Sequence, residues 1–349
     1  MKIDRALDSR INEIDFDQIS FGSHYSDHMF RSEFTNGKWT NSIIEPFGKI
    51  RFSPISLVFH YGQAVFEGMK AYKDKNNEVF LFRPKENFKR INRSAKRLEM
   101  PSIPEEIFMN GLKKLIDIDR NWIPKYYGKS LYIRPFLIAT NGVLSAKPSK
   151  NYMFMIISTP ADSYYKYPLK VKIEEKYSRS ASGGVGFTKA AGNYASSFYP
   201  TRLANENGFD QILWTDSSTH TMIEESGTMN VFFLLKKKLI TPKANDNILS
   251  GITCKSIIDL AKMDNISVEE RDLSVSELIE GLKNGELKEA FGCGTAAVIN
   301  YFEIINYRKT NFRLPYIPEN KRISLRLKKM LLDIQHNLSE DPFRWRMHI

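Results

Sequence analysis

Between Ser180 and Thr201 the chain reads SASGGVGFTKAAGNYASSFYPT, and Lys189 is the only charged residue in it. Charged residues make up 26% of the whole sequence, so this stretch departs from its surroundings. Gly183, Gly184, Gly186 and Gly192 flank the lysine. Glycine and other small residues let backbone approach a flat ligand closely. A lysine taken out of water loses part of its preference for the ammonium form, and its amine becomes a nucleophile. The chemistry this suggests is a Schiff base with a carbonyl. The same composition also suits an ordinary surface loop, so the reading depends on partners elsewhere in the chain.

A Schiff-base lysine serving pyridoxal phosphate needs a carboxylate for the ring nitrogen and a clamp for the phosphate. Glu224-Glu225-Ser226-Gly227 supplies paired acids at a strand end, which otherwise reads as a solvated turn. Phosphate is held by arginine or lysine together with free backbone N–H groups at a helix start. Leu249-Ser250-Gly251-Ile252-Thr253 leads straight into a helix, and its plain reading is a start capped by Ser250. Gly292-Cys293-Gly294-Thr295-Ala296-Ala297 is a second small-residue turn after a strand. The helix after Pro84 carries Arg90, Arg93 and Arg97; Arg90 and Arg97 border its apolar stripe, and periodicity does not choose between them. In Ser130–Thr140, alternation puts Tyr132, Arg134 and Phe136 on one face. An arginine in an apolar strand needs an anion, either a salt-bridge partner or a ligand.

Other chemistries find no support. The histidines fit no metal spacing, and neither a G-x-S-x-G elbow nor a G-x-x-x-x-G-K phosphate loop occurs. The net charge of +11 is spread along the chain without a zinc-finger or RNA-binding signature. It fits anionic small molecules better than nucleic acid. Two cysteines, Cys254 and Cys293, make no disulfide framework and point to a reducing compartment. The N-terminus lacks an apolar signal core, and no apolar run approaches membrane-spanning length, so the expectation is a cytoplasmic protein without membrane association.

The elements that would position these residues alternate irregularly, as in a mixed α/β or α+β fold. Strands are expected at Glu78–Arg83, Ser130–Thr140, Tyr152–Ser158, Leu169–Glu174, Asp210–Thr215, Thr221–Glu225, Thr228–Leu235 and Glu289–Gly292. Helices are expected from Pro84 toward Pro101 and over Glu105–Arg120, Ile252–Met263, Ser276–Leu282 and Arg322–Asn337. In the first of these helices Phe88, Ile91, Ala95 and Leu98 form the apolar stripe. TPADSYYKYP, with its two prolines, suggests a linker at 159–170 between domains 1–158 and 171–349.

Seven segments then resemble, in order, the class IV aminotransferases, and among them the branched-chain amino acid aminotransferases. They are HYGQAVFEGMKAY (60–72), RPKENFKRINRSAKRL (83–98), LYIRPFLIAT (131–140), GFTKAAGNYASS (186–197), EESGTMNVFF (224–233), ILSGITCKSI (248–257) and FGCGTAAV (291–298). The resemblance runs from about Phe52 to Tyr307. It implies a two-domain fold-type IV enzyme that uses pyridoxal 5'-phosphate, with a small N-terminal domain, a larger C-terminal domain and a homodimeric assembly. It further implies that Lys189 forms the Schiff base and moves the substrate α-proton, that Tyr194 meets the ring hydroxyl and that Glu225 holds the ring nitrogen. By the same resemblance Arg90 grips the phosphate, with Ile252, Thr253 and Thr295 completing its cradle. Gly294, Ala296 and Tyr132 would meet the substrate α-carboxylate, and Arg134 the distal carboxylate of glutamate. Tyr61 and Phe66 would line the side-chain pocket. The implied substrates are leucine, isoleucine or valine with 2-oxoglutarate; a D-amino acid transaminase or an aminodeoxychorismate lyase is the alternative. Two departures stand out. Ala297 and Asn300 occupy the positions of a thiol switch found in mammalian members, and Leu144-Ser145-Ala146 replaces a Leu-Gly-Val in a loop that shapes the pocket.

Overall fold

The structure is a computed structural model that describes every residue except Val143, Ser163, Tyr164 and Lys166. The chain divides into two compact units. The first comprises Met1–Tyr164, Thr188–Gly192 and Leu332–Ile349; the second comprises Tyr165–Phe187 and Asn193–Leu331.

The first unit is built on a nine-stranded mixed sheet. Its strands are β1 (Lys2–Ile3), β2 (His28–Thr35), β3 (Lys38–Pro46), β4 (Ala64–Phe66), β5 (Met69–Lys73), β6 (Val79–Phe82), β7 (Ser130–Ala139), β8 (Tyr152–Ala161) and the C-terminal strand Arg346–His348. The order is β1-β3-β2-β8-β7-β5-β6 and then the C-terminal strand, with β4 also paired to β7. β7 and β8 are antiparallel along their whole length, from Ser130 opposite Ala161 to Ala139 opposite Tyr152. Helices α1 (Leu57–Tyr61), α2 (Pro84–Arg97) and α3 (Glu105–Ile118) belong to this unit. Pro84 sits in the first turn of α2, where its missing N–H is harmless. Ile91 and Ala95 of the expected stripe are fully buried, while Phe88 and Leu98 are half-buried. α3 lies against the sheet so closely that a Cβ on Gly111 would meet the Phe30 ring at 2.7 Å. Phe30, Phe108 and Phe154 form the aromatic centre of this core.

The second unit holds another nine-stranded mixed sheet. Its strands are β9 (Leu169–Ile173), β10 (Gln211–Thr215), β11 (Ile223–Ser226), β12 (Asn230–Leu235), β13 (Lys238–Thr241), β14 (Val268–Glu270), β15 (Leu287–Gly294), β16 (Val298–Tyr307) and β17 (Thr310–Arg313). They run β11-β10-β9-β16-β15-β12-β13-β14, with β17 beside β16. Helices α5 (Ile252–Met263) and α6 (Val275–Lys283) belong to it entirely, α4 (Ala191–Glu206) from Asn193 onward and α7 (Ile323–Gln335) as far as Leu331. Val171, Val231, Phe233, Ala290 and Phe302 lie in its core.

The division of the chain differs from the sequence expectation in two respects. β8 extends to Ala161 and β9 begins at Leu169, so both ends of the 159–170 stretch are strand; Ser163, Tyr164 and Lys166 of that stretch lie outside the described residues. The expected split also assigned everything after residue 170 to the second domain. Thr188–Gly192 and Leu332–Ile349 instead group with the first unit, because Ala190 bridges to Val65 and the C-terminal strand pairs with β6.

Candidate active site

In the first unit the backbone of Lys189 is fixed on both sides. The Phe66 N–H donates to the Lys189 carbonyl at 3.1 Å, and the Lys189 N–H donates to Ser94 Oγ on α2 at 3.0 Å. The half-buried side chain places Nζ 4.8 Å from the centre of the Phe66 ring. The Arg134 guanidinium lies over the same ring at 4.5 Å. These are cation–π distances. Arg134 Nη2 donates to the Tyr132 hydroxyl at 2.9 Å, while its buried Nε has no hydrogen-bond partner among the described residues. Tyr132 is buried, and a Cβ on Gly68 would meet its hydroxyl at 2.2 Å, so only glycine leaves the ring its place. Tyr61 ends α1 and is 49% exposed.

α2 buries Arg90 and exposes Arg93 and Arg97, so the two stripe-edge arginines differ in burial. Arg90 meets Glu67, a fully buried residue that the sequence reading left without a role. Its Nε donates to Glu67 Oε1 at 2.6 Å and its Nη2 to Oε2 at 2.8 Å. Asn87 Nδ2 and the Gly68 N–H also donate to Oε2, at 2.7 and 3.0 Å. Burial works to raise the Glu67 carboxyl pKa, but the charge and hydrogen bonds of Arg90, the charge of Lys189 and the Asn87 bond hold it below the usual value.

In the second unit Glu225 closes a polar cluster at the end of β11. It is 2% exposed. Its Oε2 lies 3.2 Å from Arg179 Nε, and its Oε1 accepts the Leu249 N–H at 2.6 Å and Asn230 Nδ2 at 3.3 Å. Arg179 is anchored further by the carbonyls of Gly186 and Asn247. Arg179, Asn193, Tyr194, Ser197, Glu225 and Leu249 line one small cleft. Neighbouring Glu224 is pushed up to about 7 by burial and by repulsion from Glu225, against an opposing bond from Asn247.

The same cluster fixes the start of α5. Asn230 Nδ2 donates to the Leu249 carbonyl, and a Cβ on Gly251 would meet Asn230 Oδ1 at 1.9 Å. The N-cap is therefore Gly251, not the expected Ser250, and no side chain caps the helix. Buried Ile252 and Thr253 form its first turn, where N–H groups lack intrahelical acceptors. Gly294, Thr295 and Ala296 lie at the turn from β15 to β16, which is closed by Val298 with φ 59°. A β-branched residue is strained there.

The class IV amino-transferase family profile matches residues 64–300, from β4 into β16. The chain belongs to the class IV aminotransferases. Among its relatives, the "Probable branched-chain-amino-acid aminotransferase" of Staphylococcus aureus (strain MRSA252) is 46% identical over 95% of this chain and 94% of its own. The "Branched-chain-amino-acid transaminase 1" of Bacillus subtilis (strain 168) is 40% identical over 95% and 94%. The fold is similar to that of the Thermobaculum terrenum branched-chain amino acid aminotransferase solved in its PLP form. That comparison gives a TM-score of 0.72 and 21% identity over 92% of this chain and 98% of the other.

Sequence reasoning missed two residues of this class IV chain. Glu67 lies in FEGMK, an acid among strand residues, and burying an acid requires a cation; that signal was present. Arg179 sits just before the uncharged run, and only the fold brings it to Glu225.

Proposed function

We propose that the protein is a branched-chain amino acid aminotransferase that uses pyridoxal 5'-phosphate to move the amino group of leucine, isoleucine or valine to 2-oxoglutarate. The observation that carries this reading is the Phe66 ring with Arg134 over its face and Tyr132 beside it. An aromatic wall takes a branched side chain, and one arginine with an unpartnered Nε takes the distal carboxylate of glutamate. The names of the 46% and 40% identical relatives support it.

The residues suit the cofactor when each unit is taken separately. Lys189 offers an amine beside Phe66 and is the attachment point; Arg90 is the phosphate arginine. Glu225 offers a buried carboxylate for the ring nitrogen and Tyr194 a hydroxyl for the ring oxygen. The uncapped first turn at Ile252 and Thr253, with Thr295, offers phosphate donors. Gly294, Ala296 and Tyr132 serve the α-carboxylate, and Tyr61 with Phe66 the side chain. When bound, the pyridine ring supplies an electron sink for negative charge at the substrate α-carbon. Lys189 Nζ, released when the substrate amine takes its place, would take and hold the α-proton, and Glu225 would keep the ring nitrogen protonated. We further assign a homodimer acting in the cytoplasm. The two cysteines are free and buried, as a reducing compartment favours, and among the described residues no helix is long and apolar enough to cross a membrane.

Two measurements test this reading. Rates with leucine, valine, D-alanine and aminodeoxychorismate should rank the branched L-amino acids first; faster turnover of either of the others overturns the assignment. Arg134→Met should lower kcat/KM for 2-oxoglutarate by about a hundredfold, the scale of a lost charge-assisted pairing. The leucine half-reaction should change little. Equal losses in both half-reactions would show that Arg134 acts through the fold.

A further inference from the structure

We propose that Glu67 is a positioning residue that sets the affinity for the cofactor phosphate without touching it. The inference rests on the reading of Arg90 as the phosphate arginine. Glu67 engages Arg90 along the Nε–Nη2 edge with both carboxylate oxygens, at 2.6 and 2.8 Å. A fork-to-fork pair of this kind fixes both the plane and the direction of a guanidinium. The carboxylate is in turn held by Asn87 Nδ2 and by the N–H of Gly68. Asn87 stands three residues before Arg90 on α2, one turn away on the same face.

Glu67 also joins the clamp to the lysine. It follows Phe66, whose N–H bonds the Lys189 carbonyl, and Ser94, one turn beyond Arg90 on α2, accepts the Lys189 N–H. The carboxylate, the phosphate arginine and the backbone of the lysine thus form one connected frame. The pair is 0% and 6% exposed, so solvent screens it little. Without Glu67 the Arg90 guanidinium loses the bidentate partner that sets its plane and direction along the Nε–Nη2 edge.

The test is equilibrium binding of pyridoxal 5'-phosphate and of unphosphorylated pyridoxal to the apoprotein, followed by absorbance. Glu67→Gln keeps shape and removes charge. It should weaken pyridoxal 5'-phosphate about tenfold or more and leave pyridoxal nearly unchanged, and Glu67→Asp should recover part of the loss. Arg90→Met should lose the same phosphate preference, and the double variant Glu67→Gln/Arg90→Met should be no worse than Arg90→Met alone. The double variant removes both buried charges, so it also serves if Glu67→Gln folds poorly. Equal weakening of both ligands in Glu67→Gln, or no weakening, overturns the inference while leaving Arg90 in place. An Arg90→Met variant with an unchanged phosphate preference overturns the Arg90 reading, and the inference with it.

Discussion

Lys189→Ala is expected to yield a folded protein that borohydride cannot couple to pyridoxal 5'-phosphate and whose transamination rate falls by about 10⁴-fold, the upper range for loss of a proton-transfer group. The fold should survive because the contacts that hold this segment are main-chain. The Lys189 carbonyl and N–H bond Phe66 and Ser94, and Ala190 bridges Val65. Alanine keeps all of them. The Arg90–Glu67 pair also remains, since Arg90 rather than Lys189 is the stronger influence holding the Glu67 carboxyl down. What disappears is the amine beside Phe66. The intact mass after borohydride reduction is the readout: the parent protein gains the reduced cofactor and the variant does not. Covalent labelling of another lysine with retained turnover would move the attachment point elsewhere.

Much of the frame around this lysine was legible in the sequence because it is carried by local pattern. Strand alternation placed β7 and so brought Tyr132 and Arg134 to one face; helical spacing gave α5 its bounds, Ile252–Met263. The parts that were not legible depend on distant partners. Periodicity left Arg90 and Arg97 equivalent, and Glu67, 23 residues from Arg90, is what makes one the buried arginine. The Ser250 cap was a reasonable local expectation, yet Asn230 crowds Gly251 and shifts the cap by one residue. α4 was read only as part of a small-residue stretch. Its first turns are Ala, Gly, Asn and Ser around Tyr194, and Pro200 lies inside it, so neither propensity nor an apolar stripe announces a helix. The resemblance to the class IV family supplied site roles that the residues alone had left open, but it assigned nothing to Glu67 or Arg179. Glu67 bonds Arg90 and Arg179 pairs with Glu225; the acid in FEGMK signalled some cation partner, but which partner each residue meets is visible only once the chain is folded.

Glu225→Gln is expected to lower kcat by about 10³-fold, the scale of removing an electrostatic group at a reacting centre. It should also destabilise the protein by about 3 kcal/mol, because the change leaves the buried Arg179 without its counter-charge. The two losses have different causes and can be separated. Arg179 is 6% exposed at its side chain and lies 3.2 Å from Glu225, so most of the stability loss belongs to that broken pair. The Leu249 N–H and Asn230 contacts can persist with a glutamine oxygen. Arg179→Met combined with Glu225→Gln should therefore recover most of the lost stability in a chemical-denaturation curve and leave kcat as low as in the single variant. A double variant that recovers activity along with stability would show that Glu225 matters only as a partner for Arg179. A carboxylate that works on the ring nitrogen predicts the opposite: stability returns, and the rate does not.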